Sequence, residues 1–208
     1  MRMNNIEEYL DYLFPNPECE LIYNKDYELL IAIVLSAQTT DKRVNIVTPI
    51  LFDKYPSLEE LKDAELDDLE NILRSIGSFR KKALYVKNIA KILNEEYNDS
   101  VPIDRDKLEK FPGVGRKTIN VFFSEFCNIP AIAVDTHVDR VSKRLGLASK
   151  NDNVNKIEEK LMKKFDKKFW GKRHLQMVLF GRYKCKAIKP ECKSCHLKDI
   201  CREKNKNL

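Results

Sequence analysis

Residues 111–123 read FPGVGRKTINVFF, and a glycine-rich turn there joins two stretches of helical pattern. Glycine allows positive φ angles and lets the backbone approach another molecule closely. The PGVG turn (residues 112–115) therefore predicts a helix-hairpin-helix over residues 106–126, with the second helix beginning near Arg116. The first N–H groups of that helix have no intrahelical partners and suit a phosphate oxygen, although an ordinary helical turn can share the local pattern.

Two familiar glycine motifs are excluded by the order of residues. A P-loop has glycine directly before its lysine, but Arg116 separates Gly115 from Lys117. A dinucleotide fingerprint has a third glycine and follows a strand, and this stretch has neither.

Lys117 lies in the first turn of the second predicted helix, and three roles are open to it. It could contact a phosphate, remain a plain surface charge, or act as a nucleophile. The positive end of a helix disfavours an ammonium, and a neutral amine can form a Schiff base with an aldehyde-like carbon.

Asp135 follows the apolar stretch IAV, eighteen residues after Lys117, at the start of another predicted helix. Aspartate is a favoured N-cap, so a purely structural role is open to it. A carboxylate there could also manage protons and stabilise positive charge on a reacting sugar. Both roles can hold at once.

The rest of the chain shows helical periodicity, with about ten helices and no confident strand, which predicts an all-α fold. Asn4 or Asn5 is expected to cap the first helix, and Ser57 with Glu60 is expected to form a capping box. The apolar run LLIAIVL (residues 29–35) predicts a buried helix ending near Gln38, because seven residues cannot span a bilayer. Gly77 stands where a helix-terminating glycine is expected.

Composition fits a soluble globular protein of one large or two small domains, since 43% of the 208 residues are hydrophobic and 34% are charged. The formal net charge is +6, and the segment from Arg182 to Leu208 carries nine Lys/Arg against three Asp/Glu, which accounts for all of it. Such a segment is either a solvated tail or a footprint for a polyanion. The start of the chain lacks a signal-peptide pattern, so we expect a cytoplasmic protein.

Four of the six cysteines lie in this basic segment: Cys185, Cys192, Cys195 and Cys201. Clustered cysteines in a chain without an export signal are typical of metal ligands, and a zinc ion or a [4Fe–4S] cluster are the candidates. Only one close pair is present, which favours the cluster, and His196 could replace a cysteine in a zinc site. Cys19 and Cys127 lie far from this cluster in the sequence, and we expect them to be small buried hydrophobic residues.

Together with LSAQTTD (35–41), AVDTH (133–137) and GRYKC (181–185), the hairpin and the cysteines resemble the endonuclease III family of iron–sulfur DNA glycosylases, within the helix-hairpin-helix superfamily. The similarity runs from about residue 6 to residue 201 in the family's order and spacing.

The resemblance implies two helical domains with a DNA-binding cleft between them. Residues 20–129 would form a six-helix barrel that includes the hairpin, and residues 1–19 with 130–208 would form an iron–sulfur cluster domain. The implied partner is double-stranded DNA with a damaged base or an abasic site. We expect a monomer that binds no membrane and, in a prokaryote, associates with the nucleoid.

The implied activity is that of a bifunctional DNA glycosylase and AP lyase of base excision repair. It would flip an oxidised pyrimidine out of the duplex, because C1′ cannot be reached in the stack. Lys117 matches the nucleophile that forms a Schiff base, and Asp135 matches the assisting carboxylate. β-Elimination would then cut the strand 3′ to the abasic site.

The resemblance also implies ligands and DNA contacts. The four clustered cysteines would hold a [4Fe–4S] cluster, which would fix the lysines of the loop between its first two ligands for phosphates. Gln38 matches the residue that fills the gap left by the flipped nucleotide. The full set of expected DNA contacts is Gln38, Gly113, Val114, Gly115, Arg116, His137, Arg182, Lys186 and Lys189.

One position departs from the family pattern. A bulky apolar wedge is frequent in the stretch matching residues 75–80, but here Ser78 stands at that place and Phe79 follows it. Either Phe79 is the wedge or the opposite strand is held differently, and the preference for the opposite base is open.

Three rival interpretations remain at this level. An adenine glycosylase of the same superfamily would lack the lysine at position 117 and would carry a further C-terminal domain. A non-enzymatic DNA-binding protein would not need both Lys117 and Asp135. A zinc-bound interaction module would contain no iron.

Overall fold

Helices make up all the regular secondary structure of residues 2–208, the part of the chain that the computed structural model describes. The all-α prediction is confirmed for these residues. In chain order the α-helices are α1 (Arg2–Leu13), α2 (Asp26–Leu35), α3 (Asp41–Lys54), α4 (Leu58–Asp63), α5 (Leu66–Leu73), α6 (Phe79–Glu96), α7 (Arg105–Leu108), α8 (Arg116–Glu125), α9 (Thr136–Arg144), α10 (Val154–Lys164) and α11 (Trp170–Leu179). A 3₁₀ turn at Lys167–Phe169 precedes α11, and a π-helical turn at Phe180–Lys184 follows it.

The chain divides into two compact units. The hairpin unit is Cys19–Cys127 and contains α2 to α8. The cysteine unit is formed by the residues up to Glu18 together with Asn128–Leu208, and it contains α1 and α9 to α11. Compactness does not show that a unit folds alone, so the domain boundaries expected near residues 20 and 129 stay a prediction.

The core of the hairpin unit is built around α2. Every residue from Tyr27 to Leu35 is buried, as expected for a helix that is apolar on all sides. Its one acidic member in that stretch, Glu28, accepts hydrogen bonds from the N–H groups of Asn24 (2.7 Å) and Lys25 (3.3 Å). α2 packs against α3, α6 and α8, so the buried helix predicted from LLIAIVL positions the hairpin.

α2 ends three residues earlier than predicted, at Leu35 and not near Gln38. The segment after it forms a turn in which the Thr39 N–H donates to Ser36 O at 3.0 Å. Gln38 has a φ of 56°, and a left-handed residue cannot continue a right-handed helix. The turn from Ser36 to Thr39 is called the Gln38 turn below.

Two of the predicted helix ends are wrong. α1 begins at Arg2, before Asn4 and Asn5, and the Arg2 Nη2 donates to Leu145 O at 2.7 Å. Gly77 does not terminate α5, which ends at Leu73, and the left-handed residue nearby is Ser78 with a φ of 59°.

The predicted capping box of α4 is confirmed. The Ser57 Oγ accepts from the Glu60 N–H at 3.2 Å, and the Glu60 Oε2 accepts from the Ser57 N–H at 3.3 Å. Both bonds are local in sequence, which is why the pattern alone predicts them.

In the cysteine unit, the N-terminal helix packs against helices from the other end of the chain. Ile6 and Leu10 of α1 are fully buried in the same apolar cluster as Val138, Val141 and Phe180. None of the helices within residues 2–208 is both long and apolar enough to cross a membrane.

Candidate active site

The hairpin turn requires glycine at its first position. Gly113 has a φ of 77°, and a Cβ there would lie 2.5 Å from the Tyr85 ring and 3.1 Å from Val34. Val114, whose side chain is buried, closes the turn by donating its N–H to Phe111 O at 3.1 Å. α7 and α8 are thus joined where the sequence predicts the hairpin.

The second glycine of the turn is different. Gly115 is the N-cap of α8 with extended backbone (φ −125°, ψ −178°), which any residue can adopt. No atom lies within 4 Å of the position that a Cβ would take. Neither backbone strain nor packing within the protein therefore explains a glycine there, and the space in front of it is open.

Lys117 lies in the first turn of α8, beside this open space, and is exposed. Within residues 2–208 no ion-pair partner of its amine is found. The helix is anchored behind it by the buried Asn120, whose Oδ1 accepts from Arg105 Nη2 of α7 at 2.7 Å. The amine is therefore accessible to a substrate and is carried by a fixed helix.

Two titratable side chains of the hairpin unit have raised pKa values, and the sequence analysis assigned neither of them to the site. Burial raises the pKa of the Cys19 thiol to about 11, and the charge of Lys117 opposes that rise. Burial also raises the pKa of the Glu125 carboxyl to about 7. Cys19 precedes α2 and Glu125 ends α8, so no local pattern connects them with Lys117.

Backbone conformation marks three of the predicted DNA-facing positions. Among the described residues, those with positive φ that are neither Gly, Asn nor Asp are Gln38, Ser78 and Lys189. Asn and Asp adopt this conformation readily, whereas other residues do so only where the surrounding structure holds them, often at functional sites. Gln38 is the expected gap-filling residue, Ser78 stands at the wedge position, and Lys189 lies in the loop between Cys185 and Cys192.

The wedge position carries a small, exposed side chain. Ser78 is exposed, while Phe79 is half-buried and has the Arg80 guanidinium 4.9 Å from the centre of its ring. Arg80 in turn lies 3.5 Å from Glu70 Oε2.

In the cysteine unit, Asp135 is the N-cap of α9. Its Oδ1 accepts from the N–H groups of both His137 and Val138, each at 2.8 Å. The buried residues Ala133 and Val134 precede it, so the apolar stretch positions the carboxylate as predicted. The structural N-cap role is confirmed, and it engages only one of the two carboxylate oxygens.

His137 is linked to the cysteine region through Arg140, a residue that the sequence analysis missed. The Arg140 Nη2 lies 3.2 Å from His137 Nδ1 and donates to Gly181 O at 2.6 Å, while its Nε donates to Cys185 O at 3.1 Å. A Cβ at Gly181 would lie 2.8 Å from His137 Cβ, so the close packing requires glycine. Arg182, the next residue, is half-buried in the π-helical turn.

The four clustered cysteines are free thiols that line one pocket, together with Leu145 and Phe180. Burial raises the pKa of the Cys185 and Cys195 thiols. A hydrogen bond from Arg144 Nη1 at 3.5 Å favours the Cys185 thiolate. No three Cys, His, Asp or Glu side chains in residues 2–208 converge closely enough to hold a single metal ion.

Arg144 organises this region, and it too was missed. Its Nη1 donates to Lys186 O at 2.7 Å, and its Nε lies 3.0 Å from Glu203 Oε2. Its own carbonyl accepts from the Arg202 N–H at 2.7 Å. A basic residue in the last turn of a helix is common, so the sequence offered no signal for this role.

The two lysines expected to contact phosphates differ in environment. Lys186 Nζ lies 2.9 Å from Glu191 Oε1. Lys189 is exposed, and no ion pair of its amine is found in the described part of the chain.

The predicted site residues thus divide between the two units. The hairpin unit holds Lys117 and the turn residues around it, as well as Gln38. The cysteine unit holds Asp135, His137, Arg182, the two lysines and all four cysteines. Their roles in catalysis and DNA contact stay predictions.

A protein-family model shows the class of protein to which the chain belongs. A family model described as "HhH-GPD superfamily base excision DNA repair protein" matches residues 31–167, a range that includes the whole hairpin. The match places the chain in that superfamily of base excision DNA repair proteins.

Similar individual proteins show which family within that superfamily the chain belongs to. Endonuclease III of Bacillus subtilis is 46% identical over 209 residues, covering 99% of this chain and 95% of that protein. Endonuclease III of Escherichia coli is 40% identical over 192 residues, covering 92% and 90%. A solved structure of a trapped endonuclease III–DNA covalent intermediate is 48% identical, with a TM-score of 0.92 over 97% of this chain and 96% of the other.

The chain belongs to the endonuclease III family. Enzymes of this family are DNA glycosylases and AP lyases, and this chain is an enzyme of that class. The comparisons favour this interpretation over the three rivals considered from the sequence.

Proposed function

We propose that the chain removes oxidised pyrimidines from double-stranded DNA through a covalent bond to Lys117 and then cuts the strand 3′ to the abasic site. The observation that carries the proposal is the exposed, unpaired Lys117 amine beside the open space at Gly115. The trapped covalent complex of DNA with a 48% identical endonuclease III supports it.

The hairpin supplies the binding step of the proposal. The turn residues and the first N–H groups of α8 bind a backbone phosphate, helped by the positive end of the helix dipole. Gly115 has no side chain that would occupy the space the phosphate needs. Arg116, exposed at the start of α8, adds a positive charge.

Lys117 then performs the chemistry. Its neutral amine attacks C1′ of the flipped nucleotide, the C1′–N bond breaks, and the base leaves with the electron pair and takes up a proton. Ring opening gives a Schiff base between Nζ and C1′. Loss of a proton from C2′ then expels the 3′ oxygen as phosphate, which is β-elimination.

Asp135 assists in this scheme with the carboxylate oxygen that does not cap α9. A negative charge there stabilises the positive charge that develops on the sugar, and the carboxylate can accept and return protons. Because Lys117 and Asp135 belong to different units, the proposal assigns one catalytic residue to each.

The remaining contacts hold the duplex. Gln38 fills the gap left by the flipped nucleotide, and His137, Arg182, Lys186 and Lys189 contact the backbone. Since Ser78 is small and Phe79 is half-buried, the opposite base meets no large exposed apolar side chain at position 78.

The cysteine pocket fits a [4Fe–4S] cluster held by Cys185, Cys192, Cys195 and Cys201. In such a cluster each thiolate binds a different iron, which suits four cysteines around one pocket. When bound, the cluster would join Cys185 to Cys192 and so hold in place the loop between them, which carries Lys186 and Lys189. The residues of the chain, and not the cluster, perform the steps described above.

Borohydride trapping tests the proposed function. The parent protein is expected to form a covalent adduct with a duplex containing an abasic site, and Lys117→Gln is expected to form none while binding the duplex almost as tightly. Lys110→Gln, which changes another exposed lysine of the same hairpin, is the matched control and should still form the adduct.

Two results would contradict this assignment. Adduct formation by Lys117→Gln would show that another amine is the nucleophile. Parallel losses of binding and of cleavage in that variant would show that Lys117 is a phosphate contact.

A further inference from the structure

The Gln38 turn is held by a buried lysine from another helix. Lys82 lies in the first turns of α6 and is 5% exposed. Its Nζ donates to Leu35 O at 2.9 Å, to Ala37 O at 2.5 Å and to Thr39 Oγ1 at 3.2 Å. All three ammonium protons are therefore used on the residues that surround Gln38.

A buried ammonium is expensive unless it is fully hydrogen-bonded. Burial lowers the pKa of Lys82, because loss of solvent disfavours the charged ammonium. An apolar side chain would avoid that cost at this place, so the three bonds to the Gln38 turn need a reason. Capping the carbonyls at the end of α2 explains the bond to Leu35 O, but not the bonds to Ala37 and Thr39.

The conformation of Gln38 supplies the reason. Gln38 is exposed and left-handed, with a φ of 56°. A residue other than glycine, asparagine or aspartate keeps this conformation only where its surroundings fix it. Lys82 binds the residue on either side of Gln38, so it fixes the direction of the Gln38 side chain without touching that side chain.

The same lysine is connected to the wedge position. The Lys82 N–H donates to Ser78 O at 3.1 Å. A Cβ at Gly77 would lie 3.4 Å from Gln38 O, which shows how closely the two turns approach. Lys82 is thus hydrogen-bonded both to Ser78 and to the two residues that flank Gln38.

We propose that Lys82 is a positioning residue that holds the Gln38 turn in the shape needed to occupy the gap in a duplex with a flipped nucleotide. The proposal rests on the proposed function, because it assumes that Gln38 enters DNA. It predicts that Lys82 contributes to the discrimination between damaged and undamaged duplexes, and that it does so through Gln38.

The test measures dissociation constants for a duplex with a tetrahydrofuran abasic-site analogue and for the same duplex undamaged. Lys82→Met keeps the length of the side chain but removes all three donors. It is expected to reduce the preference for the abasic duplex about tenfold, because hydrogen bonds from a charged group are strong ones. Binding to the undamaged duplex should be unchanged.

A double-variant cycle shows whether Lys82 acts through Gln38. Gln38→Ala alone should reduce the same preference, and adding Lys82→Met to it should reduce the preference no further. Lys87→Met is the matched control, since Lys87 Nζ donates from the same helix to Ala64 O at 2.7 Å, a carbonyl outside the Gln38 turn. It should leave the preference unaltered.

The inference is overturned if Lys82→Met lowers binding to both duplexes equally, if the losses in the double variant multiply, or if Gln38→Ala has no effect. Should Lys82→Met fail to fold, Thr39→Val removes the bond from Lys82 at 3.2 Å, together with the long bond from Thr39 Oγ1 to Ala37 O at 3.5 Å. It is expected to reduce the preference about threefold. An unaltered preference in that variant also overturns the inference. Failure of the proposed function is seen separately, as the absence of borohydride trapping by the parent protein.

Discussion

At the scale of single residues, Asp135 combines an N-cap role, seen in the fold, with the catalytic role that we propose for it. Its Oδ1 accepts hydrogen bonds from the two N–H groups that begin α9, and its second oxygen takes no part in the cap. A sequence pattern reveals the cap, because a cap is local, but it cannot show which oxygen is engaged. The two roles can be separated by substitution, since asparagine caps helices as well as aspartate does.

Asp135→Asn is expected to retain the thermal stability of the parent and to lose most of its activity, by about a hundredfold or more. Asp135→Ala should lose the same activity and also about 1 kcal/mol of stability, because the cap is lost. Thermal unfolding and single-turnover excision of an oxidised pyrimidine measure the two effects. Full activity in Asp135→Asn would show that the residue is only a cap.

At the scale of elements, the hairpin contains two glycines with different reasons for being glycine. Gly113 has positive φ and a Cβ there would meet Tyr85, whereas Gly115 has an ordinary backbone and open space in front of it. The first glycine serves the protein's own packing. We expect the second to serve a bound molecule.

Gly115→Ala is therefore expected to leave the unfolding temperature nearly unchanged and to weaken binding to abasic duplex DNA. Gly113→Ala is the matched control at the other glycine, and it should destabilise the protein by about 1–2 kcal/mol because alanine is strained at that φ. Thermal unfolding and a binding titration measure both variants. Normal DNA affinity in a folded Gly115→Ala protein would contradict a phosphate site at the turn.

Whether a feature could be predicted from the sequence depends on how far apart in the chain its residues lie. The hairpin, the Ser57 capping box and the cap at Asp135 depend on residues within a few positions of one another, and local patterns predict them. Lys82 and Arg144 act on carbonyls more than forty positions away in the chain, so no local pattern distinguishes them from surface lysines and arginines. The early end of α2 was missed for the same reason, because the Gln38 turn depends on Lys82.

At the scale of the whole molecule, the cysteine unit is assembled from both ends of the described chain. Asp11 of α1 accepts from the Arg173 Nη1 at 2.9 Å and Nη2 at 3.1 Å, and from Gln176 Nε2 at 3.0 Å. Arg173 is only 5% exposed. This bidentate pair fastens the N-terminal helix to α11 and gives α1 a fixed place in the unit.

Asp11→Ala is expected to destabilise the protein, because it leaves the buried Arg173 without its main partner. The expected loss is about 2 kcal/mol, less than for a fully buried pair, because Asp11 itself is partly exposed to solvent. Urea unfolding at pH 7 measures the loss, and Lys156→Ala, which breaks an exposed pair with Glu159, is the control with little effect. A loss no larger than that of the control would contradict a stabilising role for the pair.

The pH dependence follows from the direction of the Asp11 shift. Burial opposes its charge, but hydrogen bonds from Arg173, Lys172 and Gln176 outweigh burial and lower the pKa. The stabilisation is therefore present above the ordinary pKa of an aspartate and is lost as the pH falls through the depressed value. Parent and Asp11→Ala should accordingly become more alike in stability as the solution is acidified.

The order of the two units along the chain has a consequence during translation. Helix α1 precedes the hairpin unit in the chain, whereas the apolar residues that cover Ile6 and Leu10 lie in residues 128–208, which follow that unit. During synthesis, Ile6 and Leu10 therefore stay uncovered until those later residues have been made.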